Sequence, residues 1–138
     1  MKKILFLCTG NSCRSLIAEA IINSKYKNQY IAESAGSFPT GFMHPKAYSV
    51  LKKNGVSPNG LFSKSWDVFE NSKFDYVITV CNSAANETCP VFMGRCEKLY
   101  WSIADPAKVL GSEEEIEAAF EQTFQELSKK IETELNLI

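Results

Sequence analysis

Two lysines lead into an unbroken apolar run, Ile4 to Leu7, which ends on Cys8. A short run without polar alternation marks a strand buried on both faces. Past a loop of small polar residues, Leu16, Ile17, Ala20 and Ile21 recur at helical spacing. YIAESAG predicts a second strand that ends at Gly36. HPKAYSVLKKNG predicts a helix led by His44, with Pro45 in its first turn and Gly55 past its end. DYVITVC predicts a third strand, again stopping on a cysteine, Cys81, and CEKLYW a fourth. The last helix has the clearest pattern. Ser112 and Glu115 form a capping box, and Ile116, Phe120, Phe124, Leu127, Ile131 and Leu135 make one apolar stripe, the mark of a core face.

Strands that alternate with helices imply an α/β sandwich around a mostly parallel sheet. The 138 residues suit one domain, 1–138, large enough to bury a real core. Ligands of such sheets bind beyond the carboxyl ends of the strands. Cys8 and Cys81 both stand at such ends, so the two are expected to be neighbours in space.

The formal net charge is −1 and no run of Lys or Arg stands out, which argues against nucleic acid or an acidic membrane as the main partner. No segment approaches the length of a membrane span. MKKILFLC has the outline of a lipoprotein signal, but its apolar run is too short and Leu7 too bulky for the cleavage position. The expected location is the cytoplasm. The five cysteines, Cys8, Cys13, Cys81, Cys89 and Cys96, are an odd number, which argues against a disulfide framework. None has the two-residue spacing of a zinc ribbon. Redox or nucleophilic chemistry is the remaining reading.

CTGNSCRS, Cys8 to Ser15, is where that chemistry fits. Successive backbone N–H groups in a strand-to-helix loop form an anion-binding nest, and the following helix adds its positive end. Thr9, Gly10, Asn11, Ser12 and Cys13 would form the cradle. Gly10 permits tight geometry and Asn11 tolerates positive φ. Arg14 offers a planar fork of donors to two oxygens of one oxyanion. Ser15 can donate to the Cys8 sulfur. Nest, helix end and arginine together predict a lowered Cys8 pKa and a sulfur nucleophile facing a tetrahedral oxyanion. A Walker A loop would also hold phosphate, but its Gly-Lys-Ser/Thr is missing. A plain buried core cysteine is the alternative for Cys8, and Arg14 and Ser15 at this spacing weigh against it.

CTGNSCRS resembles the CxxxxxR signature of the low-molecular-weight protein tyrosine phosphatase fold. In detail the chain is similar to the arsenate reductases built on that fold: ESAG, SKSWD, VITVC, ETCP and YWSIADPA follow in that family's order, over essentially the whole chain. The resemblance implies a three-layer sandwich with a four-stranded parallel sheet of order 2-1-3-4 flanked by helices. It implies that Cys8 attacks arsenate, that Arg14 and the loop amides hold its oxygens, and that Asp105 is the general acid. Cys81 would then attack the Cys8–arsenic adduct and Cys89 take over the disulfide. By composition alone Asp105 reads as a turn residue before Pro106.

The resemblance implies an external thiol reductant, thioredoxin or glutathione with glutaredoxin, no tightly bound cofactor, and a monomer. Some family members hold a potassium ion beside the loop, and the matching positions are Asn11, Glu19, Ser34 and Asp67. For Glu19 and Asp67 the alternative is a solvated surface charge. The chain departs from other members at Leu16 and in the eight-residue step from Cys81 to Cys89. Cys13 reads as a packing thiol, Cys96 as structural or incidental, and a short helix is expected between Cys81 and Cys89. Two rivals stand beside the reductase. A phosphomonoesterase would use Cys8, Arg14 and Asp105 but has no need of Cys81 or Cys89. A redox-sensing or oxyanion-binding regulator would need no general acid.

Overall fold

The structure is a computed structural model that describes residues 1–80 and 97–135. Four parallel strands, β1 (Lys2–Cys8), β2 (Tyr30–Gly36), β3 (Tyr76–Thr79) and β4 (Glu97–Tyr100), lie in the order β2-β1-β3-β4. This is the order that the resemblance implied. The helices are α1 (Arg14–Lys25), α2 (Pro45–Lys53) and α3 (Glu113–Lys130), the last running on into a π-helical turn, Ile131–Leu135. Cys81, Cys89 and Cys96, and the expected short helix between the first two, lie outside the described residues. Among the described residues no helix is long and apolar enough to cross a membrane.

β1 is central, and Ile4 to Cys8 are all buried, as its unbroken apolar run predicted. Alternate residues serve opposite faces. Ile4, Phe6 and Cys8 join the main core with Ile17 and Ile21 of α1, Val50 and Leu51 of α2, and Phe120, Phe124 and Leu127 of α3. Leu5 and Leu7 join a smaller cluster with Ala35, Phe74 and Val77, covered by Trp66 and Phe69 of a 3-10 turn, Trp66–Phe69. Each large side chain buried in this way contributes about 1.5–3 kcal/mol. Trp101 packs against Phe6, ring centroids 6.0 Å apart. β4 is largely exposed along the sheet edge.

The helix ends follow their local chemistry. Lys46 N donates to His44 Nδ1 at 3.0 Å, so His44 caps α2, and Gly55 beyond it has φ +73°. Ser112 and Glu115 form the expected capping box on α3. Lys46 then links α2 to α3 through Glu113 and Glu117.

The register that matters most pairs Cys8 with Gly36. Gly36 N donates to Lys64 O at 2.9 Å, which brings the 60s loop alongside. A Cβ at Gly36 would stand 2.5 Å from Thr9 O and 3.1 Å from Asn11 Cβ. Only glycine lets β2 end this close to the loop after β1. Gly36→Ala is therefore expected to push the loop aside. A displacement of that kind costs on the order of 10²-fold in turnover at the site, with about 1–3 kcal/mol of stability. Kinetics and urea unfolding on the same variant would check both; unchanged turnover would show that the loop tolerates the shift.

Candidate active site

The loop Thr9–Cys13 bridges the end of β1 and the start of α1. Asn11 has φ +47°, as its residue type allowed. The loop's carbonyls are engaged outwards. Thr9 O accepts from Phe38 N at 2.9 Å, Gly10 O from Thr40 N at 3.0 Å, and Ser12 O from His44 N at 2.9 Å. Ser63 Oγ adds a bond to Gly10 O at 3.2 Å. The backbone N–H groups of Asn11 and Ser15 favour the Cys8 thiolate. The cleft is lined by Cys8 to Arg14, by Phe38, Thr40, Phe42 and His44, and by Asp105, Ala107 and Lys108.

Cys8 is 5% exposed, and its Sγ lies 3.0 Å from Ser15 Oγ. Asn11 Nδ2 donates to Ser15 Oγ at 2.7 Å and to Ser34 Oγ at 3.0 Å, while Asn11 Oδ1 accepts from Lys64 N at 2.9 Å. Because Ser15 Oγ already accepts from Asn11, its own proton is available to the sulfur. Burial nonetheless pushes the Cys8 thiol up. The Ser15 hydroxyl, the Arg14 charge and the amides of Ser15 and Asn11 pull it down. The lowered pKa expected from the sequence is not met in this closed pocket, because exclusion of water outweighs the donors. Cys13, at the N-cap of α1, is pushed up to about 12, again chiefly by burial.

Arg14 opens α1 and is buried. Its Nη1 donates to Ile103 O at 2.9 Å, and its Nη2 lies 3.5 Å from Asp105 Oδ2. A guanidinium anchored by a backbone carbonyl presents its remaining donors in a fixed plane. Asp105 caps a turn, the reading its composition gave, and also faces Arg14. Its Oδ1 caps the 3-10 turn Pro106–Lys108 by accepting from Ala107 N at 2.9 Å, and its Oδ2 faces Arg14.

Three of the four residues matched to a potassium site come together. Ser34 Oγ donates to Glu19 Oε1 at 2.5 Å, and Asn11 joins through Ser34. Glu19 is buried, not a solvated charge. Burial pushes its carboxyl up, opposed by Lys64 and Ser34. Asp67 is exposed on the 3-10 turn, and among the described residues no hydrogen bond or ion pair ties it to the others. The donor set does not fit a potassium ion. Asn11 Oδ1 is occupied by Lys64 N, and the Lys64 ammonium already stands 3.7 Å from Glu19 Oε1.

Sequence reasoning missed Lys64 and the close approach at Gly36. A lysine between serines reads as surface charge, and nothing in the one-dimensional pattern marks it as buried. It also missed the cleft's aromatic rim, Phe38 and Phe42, both exposed.

The raised thiols set a pH dependence. Cys8 and Cys13 bind their protons more tightly in the folded chain, so each contributes stability that is fully present below the ordinary thiol value. For Cys13 that contribution is lost as the pH climbs from 9.0 towards about 12. The free energy of urea unfolding is expected to fall over this window, and Cys13→Ala to remove part of the slope. An identical slope in the variant would place the titration elsewhere.

Comparison with known proteins agrees with this geometry. Residues 3–137 match the model of the family "Low molecular weight phosphotyrosine protein phosphatase". An arsenate reductase of Halalkalibacterium halodurans is 36% identical over 132 residues, 96% of this chain and 94% of that protein. Among solved structures, a low-molecular-weight protein tyrosine phosphatase from T. tengcongensis is similar with a TM-score of 0.78 at 25% identity, covering all of both chains. A thioredoxin-dependent arsenate reductase of Corynebacterium glutamicum has a TM-score of 0.65 at 30% identity, over 96% of this chain and 62% of that one. With the Cys8 to Ser15 loop formed as described and the match running nearly end to end, the chain belongs to the low-molecular-weight phosphotyrosine protein phosphatase family.

Proposed function

We propose that the protein reduces arsenate to arsenite. The observation that carries this reading is that β3 pairs with the strand that ends on Cys8, Val80 N donating to Leu7 O at 2.9 Å, and that the residue following Val80 in the chain is a second cysteine, Cys81. The cleft at the end of β1 brings together a buried sulfur, an anchored guanidinium and a carboxyl, with Cys8 bonded to Ser15 and Arg14 Nη2 3.5 Å from Asp105. Arg14 and the loop amides hold the arsenate oxygens. Cys8 sulfur bonds to arsenic as one oxygen leaves as water, with Asp105 handing over the proton that oxygen needs. Cys81 thiolate then attacks the Cys8 sulfur. A disulfide forms, the sulfur–arsenic electron pair stays on arsenic, and arsenite departs as As(III). Cys89 attacks the Cys81 sulfur and frees Cys8. An external dithiol reduces the Cys81–Cys89 disulfide and resets the chain. The thioredoxin-dependent relative supports thioredoxin as that donor, with glutathione and glutaredoxin the other candidate. The arsenate reductase named among the relatives at 36% identity supports the substrate.

The second reading is phosphomonoester hydrolysis through a phosphocysteine. The pairing of Arg14 with Asp105 serves it equally, and the T. tengcongensis phosphatase has the same fold. The two readings separate at Cys81, because hydrolysis requires no second sulfur. Arsenate-dependent NADPH consumption, with the thioredoxin system or with the glutathione–glutaredoxin system, is to be measured beside turnover of an aryl phosphate. Arsenite production through one of the two systems is expected. Robust phosphatase turnover with arsenite from neither would overturn the first reading.

Cys8→Ser should reduce both activities by ~10³-fold or more, since a serine hydroxyl there stays protonated. Asp105→Asn should slow either chemistry by about 10²–10⁴-fold. Cys81→Ser should stop arsenite turnover and leave aryl phosphate hydrolysis within a few-fold. Loss of both activities in a folded Cys81→Ser protein would make Cys81 part of the pocket and not a relay thiol.

A further inference from the structure

Beside the loop, a line of hydrogen bonds runs from a sulfur to a carboxyl, Cys8, Ser15, Asn11, Ser34 and Glu19, and an ion pair carries it on to the Lys64 ammonium. Lysine is almost never buried without a partner, and Lys64 is 8% exposed. Its Nζ lies 3.7 Å from Glu19 Oε1, 3.2 Å from Phe62 O and 4.5 Å from the centre of the Phe62 ring. A carboxylate, a carbonyl and an aromatic face are what a monovalent cation seeks.

The line has a direction. Lys64 N–H donates to Asn11 Oδ1, which turns the Asn11 NH₂ towards both hydroxyls. Each hydroxyl thus accepts from Asn11 and has one proton to give. Ser34 gives its proton to Glu19, which as a carboxylate can only accept. Ser15 is left to give its proton to the Cys8 sulfur. A neutral Glu19 would carry a proton of its own, and the direction of the Ser34 hydroxyl would no longer be fixed, although the Asn11 NH₂, which can only donate, would keep its own. The charged groups facing Glu19 are Lys64 and Glu33, of which Lys64 alone favours the carboxylate; Arg14 faces Cys8.

We propose that Lys64 is the built-in cation of this site: its ammonium takes the place of a bound monovalent metal ion, holds Glu19 as the carboxylate that Ser34 donates to, and adds its positive charge to the buried network that ends at Cys8. Lys64 is a positioning residue for whichever oxyanion Cys8 attacks, so the proposal stands apart from the choice of arsenate.

The test is the pH profile of Cys8 alkylation by iodoacetamide. It is read on the Cys8 peptide by mass spectrometry, because the chain has five cysteines. Potassium chloride is compared with tetramethylammonium chloride at equal ionic strength. The wild-type profile is expected to be the same in both salts. Lys64→Ala should move the midpoint up by roughly one pH unit, slowing alkylation at neutral pH by about tenfold. Potassium, and not tetramethylammonium, should reverse that shift saturably by entering the vacated place. Lys64→Met keeps the stem against Phe62 and should show the same upward shift, separating charge from packing, with circular dichroism as the check on folding. A wild-type profile that responds to potassium overturns the proposal. So does a folded Lys64→Ala or Lys64→Met protein with the wild-type profile. Failure of potassium to restore Lys64→Ala overturns the claim that the ammonium stands in for a metal ion. No arsenite is measured, so a failed arsenate assay and a failed cation test remain separate results.

Discussion

Cys8 ends the central strand of the sheet, and burial there drives its thiol towards the neutral form. The rest of the site is arranged around that constraint. Moving the sulfur to the surface would relieve it, but would also let water surround the oxyanion and weaken every charge interaction in the cleft. The fold instead keeps the sulfur buried and aims donors at it: the Ser15 hydroxyl, the Arg14 charge and the amides of Ser15 and Asn11. Their effect is strong because water does not compete with them. The same low dielectric makes each of them expensive to misplace.

That explains why so much surrounding structure bears on eight residues. The loop cannot change shape without breaking the outward bonds of Thr9, Gly10 and Ser12 to Phe38, Thr40 and His44. Each bond contributes about 0.5–1.5 kcal/mol net, but a buried partner left unmade costs about 1–3 kcal/mol. Asn11 concentrates the effect, because its one side chain joins Ser15, Ser34 and the backbone of Lys64. Its positive φ is held by bonds on both sides. Gly36 closes the arrangement from below, where a methyl group would strike Thr9 O.

Local signals carried much of the fold. The unbroken run in β1 gave its central position, because only a strand covered on both faces omits polar residues. Ser112 and Glu115 marked the start of α3 through a bond pattern complete within four residues. The loop was legible for the same reason: its glycine and arginine are both local to CTGNSCRS. Long-range facts were hidden. Lys64 looks like any surface lysine until Glu19, forty-five positions away by its number, is found beside it. The balance at Cys8 was misjudged because donors can be read from neighbouring residues, whereas desolvation is set by the whole fold. Asp105 read as a turn residue on composition alone, and it does cap a turn; its ion pair with Arg14 is a long-range contact that composition does not show.

One cradle can serve two outcomes, and the difference lies in what next approaches the Cys8 adduct. Water must attack the central atom of a phosphocysteine, in line with the sulfur that leaves, so hydrolysis needs an open path on the far side of that atom. In the proposed reduction a thiolate attacks the sulfur itself, from the protein side, and the oxyanion is the leaving group. The second route needs no room beyond the oxyanion but does need a sulfur from the sheet side of the cleft. β3 runs parallel to β1, and Val80 N donates to Leu7 O at 2.9 Å, so the residues just before Cys8 and just before Cys81 are bonded to each other. A cysteine encoded at the end of the strand next to the nucleophile's is economical for attack on sulfur and has no use in attack on phosphorus. The position of the second thiol in the chain therefore supports reduction more strongly than any feature of the cradle, which the two chemistries share.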